Sequence, residues 1–341
     1  MRILVLGGTA WLGRTIAAEA VARGHEVVCL ARGTSGEVAD GARLVVADRE
    51  RADAYDGVRG RWDAVVDVAR TPGHVRGAVA ALDAERYLLV STGNVYADHS
   101  RPHQDESAAL LDPDEASDDP AEAYGRGKAA CERAVLAAFG ERALIARAGL
   151  IGGPGDPSGR SGYWPWRFAH PSGDAVLVPD AADRSTQVVD VRDLVSWLID
   201  AAERGLGGVF DTVGPQVPLG EHLATARRVA AHTGAVVPAE EAWLAAQGVA
   251  EWSGPRSLPL WLTEADWQGF TARDGSRARA AGLAHRPLEA TLRDVLAWEE
   301  RQPLHPHGAG LADEEERDLL RLLDSAGGRA ADDEPEVRPG R

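Results

Sequence analysis

The chain has 341 residues, 44% of them hydrophobic, enough to bury a sizeable core in one large or two closely associated domains. A formal net charge of -16 excludes a surface built to collect nucleic-acid phosphates or anionic headgroups, so neither nucleic acid nor a membrane is an expected partner. The first apolar run is too short for a signal peptide and no later run reaches membrane-spanning length. Cys29 and Cys131 lie in apolar contexts as reduced thiols, so a cytoplasmic location is expected.

Short runs rich in Val, Leu and Ile at 2–7, 26–31, 43–48, 63–69, 86–92 and 143–149 read as buried parallel strands. Amphipathic stretches at 11–23, 75–82 and 122–139 read as the helices between them. This alternation predicts an α/β fold with a doubly wound parallel sheet. From about residue 152 the texture turns to Gly, Pro and Trp, and GGPGDPSGRSGYWPWRF reads as a long loop opening a smaller C-terminal region. VDVRDL, further on, starts a helix with Asp193 in its first turn. Residues 325–341 are polar and aperiodic and are expected to form a disordered tail.

The first strand runs directly into GGTAWLG, with Gly7 and Gly13 at its ends and Ala10 where a middle glycine is common. Such a turn brings backbone N–H groups and a helix N-terminus against a pyrophosphate, or simply joins strand to helix. At the end of the second strand, Ala31 and Arg32 stand where an acidic residue would hold an adenosine ribose. A guanidinium there suits a 2'-phosphate, so NADP is the expected cofactor and NAD the alternative. Asp48 either touches the adenine edge or caps a turn. Ala69, ending the fourth strand, lets a cofactor lie close.

Lys128 is the sole lysine among 37 basic Lys and Arg residues, and it stands four places after Tyr124. On a helix the two share a face. A nearby ammonium favours the phenolate, which would make Tyr124 a proton donor and acceptor at neutral pH. Gly125 and Gly127, costly inside a helix, would leave room for a ribose. Ser91 and Thr92 end the fifth strand, where Thr92 either hydrogen-bonds a substrate oxygen or caps the next turn. His99 and His103 are separated by Pro102, which breaks the helix that would align them, and no metal is expected. The acidic run 98–122 reads as a solvated loop.

GGTAWLG, STGNVY, YGRGK, RAGLIGGPGD and STQVVDVRDL, in this order, resemble the extended or atypical short-chain dehydrogenase/reductase family, often labelled NAD-dependent epimerase/dehydratase. The resemblance runs from residue 1 to about 300. It implies a Rossmann domain over 1–155 and a mainly substrate-binding region over 156–305, with segments returning to the sheet. It gives catalytic roles to Thr92, Tyr124 and Lys128 and makes Gly7, Thr9, Ala10, Trp11, Leu12 and Gly13 the phosphate loop. Gly149 and Ile151 would lie beside the nicotinamide.

The chain also departs from that pattern. Gly93 and Asn94 follow Thr92 where sugar-nucleotide dehydratases carry Asp-Glu, and Leu150 stands where an Asn commonly meets a diphosphate. These departures point away from nucleotide sugars. Asn94, Tyr163, Trp164 and Trp166 are the candidates for contact with a small, partly apolar substrate, unless the aromatics are core. The expected function is hydride transfer between a nicotinamide and a carbonyl or hydroxyl carbon. The alternatives are a sugar or sugar-nucleotide epimerase that retains its cofactor, and a non-catalytic NADP-sensing regulator. A monomer or homodimer is expected.

Overall fold

A computed structural model describes residues 1–113, 120–302 and 308–332, with side chains to residue 325. The chain opens with β1 (Arg2–Leu6), α1 (Trp11–Ala22), β2 (Glu26–Ala31), β3 (Arg43–Val46), β4 (Arg61–Asp67) and α2 (Pro72–Ala81). There follow β5 (Asp83–Thr92), α3 (Pro120–Phe139), β6 (Ala143–Ala148), β7 (Leu150–Gly152), α4 (Tyr163–Ala169) and β8 (Ala175–Pro179). Next are β9 (Ser185–Asp190), α5 (Val191–Arg204), β10 (Gly208–Thr212), β11 (Gln216–Pro218), α6 (Leu219–Val229) and β12 (Ala235–Ala239).

Seven strands form one parallel sheet in the order β10-β6-β5-β4-β1-β2-β3. Their apolar runs are continuous rather than alternating because both faces are covered. Ile3, Val5, Leu88 and Leu144 pack in a cluster with α1 and α5. Leu4, Leu6, Leu89 and Ile145 pack in a second cluster with α2 and α3. Strand order reverses beside β1, and in such sheets a ligand lies at the carboxyl ends of the strands around that point.

The chain divides into two compact units, Met1–Gly155 with Gln187–Gln216 and Glu264–Pro287, and Asp156–Thr186 with Val217–Thr263 and Leu288–Arg341. The first holds the sheet. The second contains the parallel pair β8 and β12, α4, α6 and the helices Leu288–Glu299 and Asp313–Asp332. Its core holds Trp164, Phe168, Leu219 and Trp261. Arg167 is buried there with its charge met by Asp313 at 2.6 Å and Glu316 at 3.4 Å.

Two local expectations are corrected. The Gly- and Pro-rich stretch read as one long loop contains α4, because YWPWRFA carries enough apolar side chains to bury a two-turn helix. Residues 325–332, expected as disordered tail, continue the helix begun at Asp313, since a nucleated helix propagates at little cost through polar residues. The rest of that tail, 333–341, lies outside the described residues, as do 114–119 of the acidic run. No described helix is long and apolar enough to cross a membrane.

Candidate active site

The glycine loop is built as a cradle. Gly7 adopts φ +100°, and a Cβ on Gly13 would lie 2.1 Å from the Gly7 carbonyl oxygen, so no side chain is tolerated at position 13 in the first turn of α1. Ala10 is the N-cap of α1 and supplies no side-chain hydrogen bond, which leaves the first helical N–H groups for a ligand. Leu12 packs on the core, Thr9 is buried, and the Trp11 indole donates to the Pro154 carbonyl at 2.9 Å.

A cleft of about 380 Å³ is lined by Gly7, Thr9, Ala10, Arg32, Thr34, Ser35, Asp48, Ala69 and Arg70, among others. Arg32 is exposed at its rim. Asp48 accepts the backbone N–H of Glu50 at 3.1 Å, so it caps a turn while it lines the cleft. An uncapped helix end, a side-chain-free approach and a hydroxyl-rich basic rim fit a dinucleotide.

At the carboxyl edge of the sheet, the Thr92 hydroxyl donates to Asn94 Oδ1 at 3.0 Å and lies near the Tyr124 phenol. Burial pushes that phenol above its ordinary value, while the Thr92 hydroxyl and the Arg70 guanidinium pull it back. Lys128 is only 1% exposed, and burial holds its ammonium below the usual lysine range. Its Nζ donates to the carbonyl of Ala69 at 2.8 Å and that of Val90 at 2.5 Å. The third N–H has no partner among the described residues.

The lone lysine thus ties α3 to the ends of β4 and β5 with one donor to spare. The charge of Arg70, which the sequence reading did not single out, also pulls on the Tyr124 phenol. Gly125 also has a different reason from the one expected. A Cβ there would sit 2.1 Å from the Asn94 carbonyl oxygen, so the glycine lets α3 press against the Thr92–Asn94 turn. At Gly127 the nearest atom to such a Cβ, the Arg70 carbonyl oxygen, is 3.8 Å away.

Two buried polar clusters brace this edge. Asp67 accepts a two-pronged ion pair from Arg49 at 2.9 and 2.8 Å and the Tyr87 hydroxyl at 2.6 Å. Against burial, which alone would raise it, Arg49 holds the Asp67 carboxyl below its ordinary value. Behind Thr92, Ser91 donates to Glu132, which also binds Arg147 at 2.8 Å. Arg147 donates to the Tyr96 hydroxyl at 3.0 Å, Tyr96 to Asp211 at 2.7 Å, and Arg273 to Asp211 at 2.9 Å. Burial raises the Asp211 carboxyl to about 6. Glu132 was findable in principle, since it falls four residues after Lys128 on the same helix face. Its partners come from distant strands and were not.

Gly149 and Ile151 flank the buried Leu150 at the start of β7, which pairs with β9. The candidate substrate aromatics belong to the second unit. Tyr163 and Trp164 are core residues of the second unit, 1% and 0% exposed, with the Trp164 indole donating to the Pro259 carbonyl at 2.8 Å. This corrects their reading as ligand-facing rings. The helix formed by YWPWRFA turns them inward, and burying such large apolar surfaces outweighs leaving them at a mouth. Trp166 is partly buried and stacks on His170 at 3.7 Å between ring centroids. Cys29 and Cys131 are free and buried, and burial pushes both thiols up to about 11. No group of three or more His, Cys, Asp or Glu among the described residues could hold a metal ion.

Solved structures share this fold at low sequence identity. UDP-N-acetylglucosamine 4-epimerase from Bacillus cereus has TM-score 0.66 at 15% identity, covering 90% of this chain and 99% of its own. The Bordetella bronchiseptica enzyme WbmH, solved with NAD+, has TM-score 0.64 at 16% identity over 89% and 99%. UDP-glucose 4-epimerase from Thermotoga maritima, solved with UDP-glucose, has TM-score 0.64 at 16% identity over 88% and 99%. No curated protein matches the sequence. The profile of the NAD dependent epimerase/dehydratase family matches residues 3–211, more than half of the chain, and the protein is an enzyme belonging to that family.

Proposed function

We propose that the protein is an NADP(H)-linked oxidoreductase acting between a carbonyl and a hydroxyl carbon of a small, partly apolar molecule. The observation that carries this reading is the placement of the Thr92 hydroxyl near the Tyr124 phenol at the carboxyl edge of the sheet, on the helix whose Lys128 grips the Ala69 carbonyl, a residue of the dinucleotide cleft. In this reading Gly7, Thr9, Ala10, Trp11, Leu12 and Gly13 hold the pyrophosphate, and Arg32 with Thr34 and Ser35 holds a 2'-phosphate. Asp48 and Ala69 border the adenosine and ribose, while Gly149 and Ile151 border the nicotinamide. The nicotinamide supplies hydride exchange when bound.

Thr92 orients the substrate oxygen. Tyr124 gives that oxygen a proton in reduction and takes it in oxidation. Lys128, anchored on Ala69 and Val90, offers its third N–H to a ribose hydroxyl and keeps α3 in register.

Calorimetry should show NADPH binding more tightly than NADH, with Arg32→Ala removing most of the difference; tighter NADH binding by the parent would overturn the NADP assignment. A second reading, epimerisation with retained cofactor, is favoured by the neighbours that are epimerases of UDP-sugars. Net NADPH consumption with a carbonyl substrate supports the first. Isomerisation of UDP-glucose without change at 340 nm, where reduced nicotinamide absorbs, supports the second.

A further inference from the structure

Beside Asn94 the first unit contains a second cavity, of about 340 Å³, lined by Asn94, Tyr96, His99, Leu111, Glu122 and Trp267 among others. The His99 imidazole is stacked on Trp267 with centroids 4.8 Å apart and planes 16° from parallel, and Phe270 meets it edge-on at 5.3 Å. Tyr96, held by Asp211 and lying under Arg273, forms another wall. The cavity starts at the residue that accepts the Thr92 hydroxyl, so a molecule whose reacting carbon lies at Tyr124 has its remainder beside this space.

The polar character of the lining is specific. Burial, aided by Arg273, lowers His99 to about 4, so the imidazole is neutral at physiological pH. Its Nδ1 is enclosed without a partner, which leaves Nε2 as the ring's contact for a ligand. The Asn94 amide nitrogen has no partner among the described residues. The charged lining residues are Asp98, Glu122 and Asp266, with no Lys or Arg among them. Asp98 is already satisfied by Ser100 and Arg101, and Glu122 faces Arg126 at 3.5 Å. The arginines beside the cavity, Arg101 and Arg126, are engaged by these carboxylates, and no guanidinium lines the cavity to receive a diphosphate. Flat aromatic walls with a neutral imidazole and an amide suit a planar, uncharged ring.

We infer that this cavity is the subsite for the non-reacting part of the substrate, and that it takes an uncharged planar ring bearing a hydroxyl or N–H group, to the exclusion of nucleoside diphosphates. Trp267 supplies an apolar aromatic wall and His99 the hydrogen-bond partner. The inference rests on the oxidoreductase reading for its orientation toward Tyr124, but its test reads binding alone.

The probes are 4'-hydroxyacetophenone, acetophenone and UDP, each titrated at pH 7 into the full chain with saturating NADPH, followed by saturation-transfer NMR and calorimetry. The hydroxylated ketone should bind, and Trp267→Ala should weaken it about fivefold or more, the scale of one aromatic pair. His99→Leu should weaken 4'-hydroxyacetophenone about fivefold, the scale of one hydrogen bond, and leave acetophenone unchanged. UDP should neither bind here nor displace the probe. A thermal melt checks each variant, and the two variants stand independently should one fail to fold. No binding of the ketone to the parent, binding unchanged in both variants, or displacement by equimolar UDP overturns the subsite. Loss of NADPH binding by the parent instead overturns the oxidoreductase reading while the probe titrations still report on the cavity.

Discussion

Lys128 shows how much geometry one side chain can encode. In a chain that uses arginine at its other basic positions, a buried ammonium reaches two backbone carbonyls 2.8 and 2.5 Å away and retains one donor. A guanidinium is larger and planar and directs its donors in a fixed fork. Lys128→Arg should fold but lose about 10²-fold in turnover, matching Tyr124→Phe, because both displace the same proton transfer. Single-turnover rates with NADPH and a thermal melt test this, and an arginine variant within about threefold of the parent would refute it. Arg70 bears on the phenol as well. If its charge helps Tyr124 ionise, Arg70→Met should move the basic limb of the pH–rate profile upward, with cofactor affinity measured in parallel.

At the scale of the element, α3 carries Tyr124, Lys128 and Glu132 at intervals of four, so one helix face meets the ends of three strands. Its seating depends on Gly125. A methyl group there would come within 2.1 Å of the Asn94 carbonyl oxygen, a backbone atom that cannot step aside alone. Gly125→Ala should therefore destabilise the protein by about 1–3 kcal/mol and impair turnover by moving Asn94 away from Thr92. Gly127→Ala, with 3.8 Å of clearance, should melt at or above the parent temperature, because alanine favours the helix by up to about 1 kcal/mol. Denaturant titration of the pair separates close packing from helix propensity. Equal stability in both variants would mean that α3 adjusts freely.

For the whole molecule, acid stability follows from groups buried in both units. Burial alone lowers His222, on α6, to about 4. Below the ordinary histidine value the unfolded chain binds a proton that the folded one refuses, so stability is complete above about pH 6.5 and is lost as pH falls toward 4. For a residue 1% exposed this amounts to about 3 kcal/mol. His99, lowered to about 4, acts in the same direction. Asp211, raised to about 6, acts in the opposite one: its contribution is full below the ordinary aspartate range and is lost as pH rises through 6. Urea titrations from pH 7 to 4 should show His222→Leu with a flatter acid loss than the parent and Asp211→Asn with a steeper one. The reverse order would contradict these protonation states.

The strands, the glycine cradle and the Tyr124–Lys128 spacing were legible in the amino-acid order because each depends on a short-range period: continuous apolar runs, a turn that admits no Cβ, and residues one helical turn apart. The family resemblance rests on the same local motifs. What Lys128 grips, why Gly125 is glycine, and the chain from Ser91 through Glu132, Arg147 and Tyr96 to Asp211 depend on atoms brought together from strands far apart in sequence. The aromatics of α4 likewise read as a ligand-facing loop until the helix turned them into the second unit's core. The cavity around His99 and Trp267 joins segments more than 160 residues apart, and no local pattern specifies such a contact. Local sterics and periodicity fix the elements, whereas burial and charge pairing between elements exist only once the sheet has brought its strands into order.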